Sequence, residues 1–173
     1  MNLLEIKGMG TSPYTVALDV DGVLADFEAK VQEIFGKPIS AINSRHLWAG
    51  IGKYDKEVEP FFETLPVMEN AFDLIRFVDA NFSKWFLLTA SGYVPKNVAE
   101  QKRKWAAKVI SPKVEVVVVR KSHEKAQYAN SKTILVDDRS KSIDPWRQAG
   151  GIGILHTSVE DTINQLKPFL KNQ

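Results

Sequence analysis

VALDVDGVLADF, residues 16–27, places two carboxylates at the point where an apolar run ends. The run reaches Asp19, a second acid follows at Asp21, and Gly22 precedes a return to apolar residues. Two like charges this close repel each other, and partial burial would also remove part of their hydration. We therefore expect a cation or a proton to lie beside these two acids.

Apolar runs and amphipathic segments alternate along the rest of the chain. Short runs rich in β-branched residues predict buried strands, and apolar residues at helical spacing predict helices. This alternation is typical of a parallel α/β sheet whose two faces are covered by helices. The predicted strands are residues 14–20, 84–90, 114–119, 133–138 and 151–156. The predicted helices are residues 26–36, 69–82, 95–110, 123–130, 145–149 and 158–170. Short helices are also predicted within residues 37–69, and Ser158 is predicted to be the N-cap of the last helix.

The composition of the chain excludes several classes of protein. With 173 residues, 44% of them hydrophobic and 25% charged, it suits one globular domain with a small insertion. The lack of cysteine excludes disulfides, thiolate zinc sites and thiol catalysis, and a net charge of +2 is too small to argue for nucleic acid. No apolar stretch is long enough for a membrane helix, and residues 1–14 lack the apolar core of a secretory signal. We therefore expect a cytoplasmic protein.

Polar side chains stand at the ends of three predicted strands. Asp19 ends the first strand, Thr89 the second, and Asp137 with Asp138 the fourth. In parallel α/β sheets the carboxyl ends of the strands meet at one edge, where ligands bind. Several carboxylates at one edge require a cation, and oxygen ligands without histidine or cysteine select a hard ion, Mg²⁺ before Ca²⁺ or Mn²⁺. The sequence thus predicts a divalent metal site at this edge.

The same edge is suited to a phosphoryl group. Thr89 supplies a hydroxyl, and the turn after it is expected to expose backbone N–H groups that bind an anion. Lys121 and Lys125 both precede the fourth strand at a distance that would let either balance the charge. These residues suit a phosphoryl group held between a metal ion and a lysine.

Four segments carry a resemblance to a known family. They are, in chain order, DVDGVLADF (19–27), LLTAS (87–91), a lysine before the fourth strand, and ILVDDR (134–139). Together they resemble the haloacid dehalogenase (HAD) superfamily of aspartate-nucleophile phosphatases, from about residue 14 to the end of the chain. The first and last segments, with FFETLPVMENA (61–71), are most similar to the 5′(3′)-deoxyribonucleotidase branch.

This resemblance implies a Rossmann-like three-layer α/β fold with a five-stranded parallel sheet in the order 5-4-1-2-3. Residues 1–26 and 70–173 would form the core domain, and residues 27–69 a small helical cap over the site. The implied activity is the hydrolysis of a phosphate monoester. Asp19 would be the nucleophile that forms an aspartyl-phosphate, and Asp21 would protonate the leaving group and then activate water.

The resemblance also implies the metal ligands. Mg²⁺ would be bound by the side chain of Asp19, the backbone carbonyl of Asp21 and the side chain of Asp138. Asp137 would either bind the ion itself or stand next to a residue that does.

The phosphate would be bound by Thr89, by the backbone N–H of Ala90 and by Lys125, which would also orient the nucleophile. The deoxyribonucleotidase branch usually has Thr-Ser at this motif, so Ala90 leaves only a backbone donor there. Lys125 is preferred over Lys121, because KAQYANSKTILVDD (125–138) has the family's usual spacing from lysine to acid pair.

The leading hypothesis is a Mg²⁺-dependent phosphatase for nucleoside monophosphates, with Phe27 or Trp48 stacking on the base. The enzymatic alternative is a HAD phosphatase for another small phosphate ester or for a 3′-phosphate end of nucleic acid. A non-catalytic divalent-metal module is a third hypothesis. The predicted partner is a small phosphate ester, with no membrane and with nucleic acid disfavoured. The sequence leaves the oligomeric state undetermined, with a homodimer as the one assembly considered.

Two further patterns are interpreted as structural. Residues 17–28 partly match a calcium-binding loop, but Ala17 occupies its first position and a strand pattern replaces the helix that should precede it. The run QKRK, residues 101–104, is interpreted as the solvated face of a helix.

Overall fold

The structure is a computed structural model that describes residues 4–170, so the outer ends of the predicted core segments 1–26 and 70–173 lie outside the described residues. Its centre is a sheet of five parallel strands: β1 (Ser12–Leu18), β2 (Phe82–Ala90), β3 (Val116–Val119), β4 (Thr133–Asp137) and β5 (Ile152–Leu155). The strand order is β3-β2-β1-β4-β5, which is the predicted order read from the other edge. The predicted Rossmann-like α/β fold is therefore confirmed.

Helices cover both faces of this sheet. They are α1 (Phe27–Phe35), α2 (Ser44–Glu57), α3 (Ala71–Asn81), α4 (Val98–Val109), α5 (Ser140–Gln148) and α6 (Val159–Leu166). Short 3₁₀ turns lie at Ile39–Ala41, Phe62–Thr64, Ser122–Tyr128 and Lys167–Phe169. Within residues 4–170, no helix combines the length and the apolar character that a membrane crossing requires.

The inner end of the central strand, residues 16–18, shows why three successive residues there are apolar. Val16 and Leu18 of β1 belong to the apolar cluster that includes α3, α4 and α6, whereas Ala17 belongs to a second cluster with Ile143 and Trp146 of α5. Successive side chains of a strand point to opposite faces, so a strand covered on both faces needs apolar residues throughout. The position of Ala17 inside β1 also agrees with the rejection of a calcium loop, which would need a helix there.

The segment between β1 and α3 leaves the sheet and returns to it at one place. Ala25 and Val67 form an antiparallel bridge. Beside it, the N–H of Asp26 donates to Pro66 O (2.7 Å) and the N–H of Met68 to a carbonyl of the outgoing chain (2.8 Å). The segment is helical, as predicted, and contains α1, α2 and two of the 3₁₀ turns.

Helix α5 begins earlier than predicted. The sequence placed Pro145 at the start of this helix, but α5 begins at Ser140 and Pro145 lies in its interior. The first turn forms because the N–H of Ser142 donates to the carbonyl of Arg139 (3.0 Å). An interior proline forgoes one helical hydrogen bond, and here the packing of α5 on β4 and β5 compensates for that loss.

The last predicted helix, residues 158–170, is two elements. Helix α6 ends at Leu166, and the chain tightens into the 3₁₀ turn Lys167–Phe169 at Pro168, which has no N–H to donate. The predicted N-cap is confirmed, because the Ser158 hydroxyl accepts a hydrogen bond from the N–H of Asp161 (3.1 Å).

Candidate active site

The loop after β1 holds both of its acids at the carboxyl edge of the sheet. The N–H of Asp19 still donates to a carbonyl of β4 (2.9 Å), so Asp19 continues the strand. The chain then tightens, because the Val20 carbonyl accepts hydrogen bonds from the N–H groups of Leu24 and Ala25 (2.8 and 2.9 Å). Gly22 makes this turn with a φ of +82°, a conformation that other residues rarely adopt.

Lys125 is buried between two carboxylates. It lies in the 3₁₀ turn Ser122–Tyr128, with Nζ 2.8 Å from Asp19 Oδ1 and 2.6 Å from Asp137 Oδ2. Burial alone would lower the pKa of Lys125, but the two carboxylates outweigh burial and raise it, so the lysine is charged. Lys121 is exposed, and no ion pair within residues 4–170 joins it to either acid. The structure therefore brings Lys125, not Lys121, to the acids.

Three carboxylates form a cluster at this edge. Asp19, Asp137 and Asp138 each offer an oxygen, and these oxygens lie within 4.8 Å of one another. Burial and the charge of Asp19 raise the pKa of Asp137 to about 6, against the opposing effect of Lys125. The pKa of Asp138 is raised to about 7 by partial burial and by the other two acids, although its side chain reaches solvent. Such values indicate carboxylates that lack enough nearby positive charge, which a bound cation would supply.

Asp137 and Asp138 differ in how the protein engages them. Asp137 is fully buried, and its two oxygens accept hydrogen bonds from Lys125 Nζ and from the N–H of Arg139 (2.6 and 2.9 Å). The Asp138 carboxylate instead lies against Gly22, where an added Cβ atom would stand 2.2 Å from Asp138 Oδ2. This close approach brings the peptide between Asp21 and Gly22 to the acid cluster. The resulting donors are all oxygen atoms, and they fit Mg²⁺ or another hard divalent ion.

The second acid of the loop is bound to a lysine that no motif identified. Lys102 of α4 donates from Nζ to Asp21 Oδ2 (2.8 Å), Thr89 Oγ1 (2.8 Å) and the carbonyl of Ala90 (2.7 Å). These three bonds use every hydrogen of the ammonium group, which is buried. Burial raises the pKa of Asp21, and the charge of Lys102 opposes that shift. Asp21 Oδ1 is buried and has no hydrogen-bond partner among the described residues.

The interpretation of residues 101–104 as a solvated helix face is wrong for Gln101 and Lys102. Both side chains are buried, and only the other two residues of the run are exposed. Gln101 accepts a hydrogen bond from the N–H of Phe62 (2.8 Å), and Lys102 Nζ lies 5.2 Å from the centre of the Phe62 ring. This face of α4 therefore packs against the segment inserted after β1.

The helical period of α4 contained the signal for this burial. Val98 and Trp105 are both buried, and residues 101 and 102 lie three or four positions from each of them. Residues at these spacings share one face of a helix. Two apolar anchors thus placed Lys102 on the inner face, although the basic run around it suggested solvent.

The turn after β2 differs from the prediction. Its N–H groups were expected to be free for an anion, but Ser91 N–H donates to Val119 O and Gly92 N–H to Arg120 O (2.8 and 2.9 Å). The prediction is therefore wrong for these two groups, because the turn continues the pairing with the end of β3 and the residue that follows it. The backbone N–H of Ala90 stays a prediction. Thr89 is fully buried at the site, and its hydroxyl accepts from a lysine and keeps its own hydrogen to donate.

The two aromatic residues selected from the sequence lie at the site in different ways. Phe27 is half-buried, and its ring packs against Phe61 and Phe62, with centroids 5.6 and 6.1 Å away. Trp48 contacts Phe27 but is 38% exposed. Part of the Trp48 ring is thus exposed to solvent, and the Phe27 ring packs against Trp48.

Two clefts meet at the site, and both are bordered by Asp21, Trp48 and Arg139. The first has a volume of about 510 Å³ and runs along the loops that follow β2 and β3. We call it the basic cleft, after Arg120, Lys121, Arg139 and Lys141 in its lining. The second has a volume of about 620 Å³ and runs beside α1. We call it the acidic cleft, after Asp21, Asp26, Glu28 and Asp138 in its lining.

Comparison with known proteins finds similarity at the level of structure. No family model matches the chain, and no curated protein sequence matches it. A haloacid dehalogenase-like family hydrolase from Xanthomonas campestris superposes with a TM-score of 0.55 at 12% identity, over 90% of this chain and 91% of that one.

Two further solved structures of this kind contain ligands. A HAD family hydrolase from Deinococcus radiodurans with bound phosphate and sodium has a TM-score of 0.52 at 12% identity, over 94% of this chain and 100% of that one. A HAD hydrolase from Bacillus subtilis bound to magnesium has a TM-score of 0.53 at 16% identity, over 88% of this chain and 98% of that one. Identities this low establish the fold: the chain has the α/β fold of HAD hydrolases. The 5′(3′)-deoxyribonucleotidase branch stays a prediction.

Proposed function

We propose that this protein is a phosphatase of the HAD superfamily that depends on a divalent cation and hydrolyses a phosphate monoester through an aspartyl-phosphate. The observation that carries the proposal is the buried bridge from Lys125 to Asp19 and Asp137, beside the open carboxylate of Asp138. A purely structural ion pair would not need a third carboxylate with a raised pKa next to it. An anionic substrate and a cation together would satisfy this arrangement.

In the first step, Asp19 attacks the phosphorus atom. Lys125 is hydrogen-bonded to Asp19 Oδ1, which orients the carboxylate and leaves Oδ2 as the attacking oxygen. The bond from phosphorus to the ester oxygen breaks as the new bond to Asp19 forms. The departing oxygen takes a proton from Asp21, so the alcohol product leaves as a neutral group.

Asp21 is suited to carry that proton on Oδ1. This oxygen is buried and has no hydrogen-bond partner in residues 4–170, whereas Oδ2 is occupied by Lys102. Burial also raises the pKa of Asp21, which favours the protonated form that the first step needs. Lys102 fixes the carboxyl group and keeps it beside the hydroxyl of Thr89, the proposed donor to the phosphate.

In the second step, Asp21 acts as the base. A water molecule attacks the phosphorus atom of the aspartyl-phosphate, and Asp21 takes a proton from that water. The bond between phosphorus and Asp19 breaks, so inorganic phosphate leaves and both aspartates return to their starting states.

The residues proposed to hold the cation are Asp19, Asp138 and the backbone carbonyl of Asp21. Asp137 is proposed to support them, because Lys125 and the N–H of Arg139 already bind its two oxygens. Mg²⁺ is the proposed ion, since the donors are all oxygen atoms. When bound, it neutralises charge on the phosphate oxygens and on the nucleophile.

We further propose that the substrate is a nucleoside monophosphate and that residues 27–69 act as a cap. Trp48 supports this proposal, because it stands at the junction of the two clefts with an exposed ring that can stack on a base. The segment leaves and returns at the bridge between Ala25 and Val67, immediately after the acids. A segment inserted between two adjacent points of the core is suited to cover a site without interrupting the sheet below it.

The proposal is tested by phosphate release from ribo- and deoxynucleoside 5′- and 3′-monophosphates and from an aryl phosphate, with Mg²⁺ and with EDTA. We expect release that requires Mg²⁺ and falls by at least about 10³-fold in Asp19→Asn, which lacks the nucleophile. Asp144→Asn is the matched control, because Asp144 is an exposed acid of α5 and its loss should leave the rate unchanged.

Each outcome has a distinct meaning. Release from nucleotides that depends on both Mg²⁺ and Asp19 supports the full proposal. Release from the aryl phosphate but from none of the nucleotides would retain the phosphatase and overturn the nucleotide substrate. No release from any ester would overturn the phosphatase and favour a metal-binding module.

A further inference from the structure

The two clefts at the candidate active site carry opposite charge. Four lysine or arginine side chains line the basic cleft. Among the described residues that line it, Asp21 is the only one with a carboxylate. The acidic cleft is lined by four carboxylates, beside Arg139 and His156. Because Asp21 borders both clefts, a leaving group that takes its proton from Asp21 can lie in either one. An anionic leaving group would be repelled by the acidic cleft and attracted by the basic cleft.

The basic side chains of this cleft are available to a ligand. No ion pair within residues 4–170 joins Arg120, Lys121, Arg139 or Lys141 to a carboxylate. Arg120 instead lies over the exposed ring of Tyr93, 4.9 Å from its centre. A guanidinium stacked on an aromatic ring keeps its N–H edge free for hydrogen bonds to an anion.

The turn that presents two of these side chains is held by specific hydrogen bonds. The carboxylate of Glu124 accepts from the N–H groups of Arg120 and Lys121 (3.0 and 3.1 Å). The carbonyl of Arg120 accepts from the N–H of Gly92 (2.9 Å), which ties this turn to the loop after β2. The 3₁₀ turn that follows, Ser122–Tyr128, contains Lys125, which is anchored in the acid cluster by its ion pair with Asp19. The basic cleft is therefore fixed relative to the proposed nucleophile.

We infer that the leaving group of the substrate carries at least one further phosphate, which the basic cleft holds. This inference rests on the proposed phosphatase activity and changes its proposed substrate from a nucleoside monophosphate to a nucleotide that carries a second phosphate. A nucleoside bisphosphate and the phosphorylated end of a short oligonucleotide share this chemistry, and a cleft of about 510 Å³ lies within the usual range for small-molecule sites. The second phosphate stays on the alcohol product, because only the ester bond at the Asp19 side breaks.

The first test compares substrates. Values of kcat/KM are measured with Mg²⁺ for a nucleoside 5′-monophosphate, the matching 3′,5′-bisphosphate, a trinucleotide with a 5′-phosphate, and an aryl phosphate. Charge-assisted hydrogen bonds to one further phosphate predict a preference of about tenfold or more over the monophosphate. The preference should shrink as ionic strength rises, because these side chains are exposed to solvent. Comparison of kcat/KM for the bisphosphate with kcat/KM for the trinucleotide identifies which of these two kinds of substrate is preferred.

The second test removes the charges. Arg120→Gln and Lys141→Gln should each reduce the ratio of kcat/KM for bisphosphate to kcat/KM for monophosphate, by about threefold or more. Lys113→Gln is the matched control, since Lys113 is an exposed lysine that precedes β3, whereas Arg120 follows it. This control should keep the wild-type ratio.

A binding measurement separates failure of this inference from failure of the proposed function. Calorimetric titration of Asp19→Asn with the monophosphate and with the bisphosphate does not depend on turnover. If no ester is hydrolysed but the bisphosphate binds about tenfold more tightly, the phosphatase is overturned and the anion site is supported. Equal kcat/KM and equal affinity for the two ligands, or a preference that survives in both charge variants, would overturn the inference.

Discussion

Replacement of Lys125 by methionine tests the electrostatic design of the site. Methionine keeps much of the unbranched stem of lysine and removes only the charged end. Lys125 is 2% exposed, and its partners Asp19 and Asp137 are buried as well, so the two carboxylates would lose their shared cation inside the protein. Breaking a buried ion pair by removing one partner costs about 3–5 kcal/mol. The pKa of Asp137 is already raised to about 6, so a proton can replace part of that charge. We therefore expect a loss of about 3 kcal/mol at pH 7.

Thermal and urea unfolding measure this loss. For a domain of this size, a loss of about 3 kcal/mol lowers the melting temperature by about 6–12 °C. Lys121→Met is the matched control, because Lys121 stands four positions earlier and is exposed, and its replacement should stay within about 0.5 kcal/mol of the wild type. A loss below about 1 kcal/mol for Lys125→Met, or an equal loss for Lys121→Met, would refute the assignment of Lys125 as the buried cation of the acid cluster.

Three further predictions concern other parts of the molecule. Lys102→Met should lower kcat by about tenfold or more, and more for alkyl than for aryl esters, because Lys102 binds Asp21, the proposed proton donor to a poor leaving group. Equal losses for both esters in steady-state kinetics would contradict this role. Gly22→Ala should destabilise the fold by more than about 1 kcal/mol, and it should weaken stabilisation by Mg²⁺ because the new methyl group would displace Asp138. Thermal unfolding with and without Mg²⁺ measures both effects. An unchanged increase in melting temperature on addition of Mg²⁺ would contradict this reasoning. Hydrogen bonds from Lys30 and Tyr54 hold the pKa of Glu59 below its usual value, so the stability that Glu59 adds is present above its unfolded pKa and lost as the pH falls through the folded pKa. Urea unfolding of Glu59→Gln should therefore differ from the wild type at pH 7, and this difference should shrink as the pH falls below the ordinary pKa of glutamate. A difference that stays constant with pH would argue against this ion pair.

The sheet could be predicted from the sequence because burial on both faces leaves a simple pattern. The inner end of the central strand is covered on both faces, and Val16, Ala17 and Leu18 are accordingly apolar in succession. The acids then mark where the strand leaves the core, and the same pattern recurs where β4 ends at Asp137. Motif order along the chain was enough to place these strand ends at one edge.

The parts of the site that were missed depend on contacts between distant segments. Lys102 lies 81 positions after Asp21, and its basic neighbours suggested a solvated helix face. Burial of an ammonium group is costly unless its hydrogens are bound, so the chain alone favoured exposure. Three acceptors supplied by the loop after β1 and by the end of β2 reverse that preference, and they exist only in the folded protein.

The basic cleft was hidden in the sequence for a different reason. A net charge of +2 averages over the whole surface and gave no reason to expect an anion site beyond the one scissile phosphate. The fold separates the charges locally, with one cleft basic and the other acidic around a shared aspartate. Average charge is a property of composition, whereas the local field depends on which loops the topology brings together.

The position of β1 in the middle of the sheet has a consequence for synthesis on the ribosome. Thr15 of β1 pairs with Thr133 of β4, 118 positions later. One of the two hydrogen-bonding edges of the central strand therefore has no partner until most of the chain has been made. Lys125, Asp137 and Asp138 emerge with that same late segment. A nascent chain that stops before β4 would therefore expose a bare strand edge, which favours association with other chains. The proposed site and the pairing of both edges of β1 should thus be completed together, in the last third of translation.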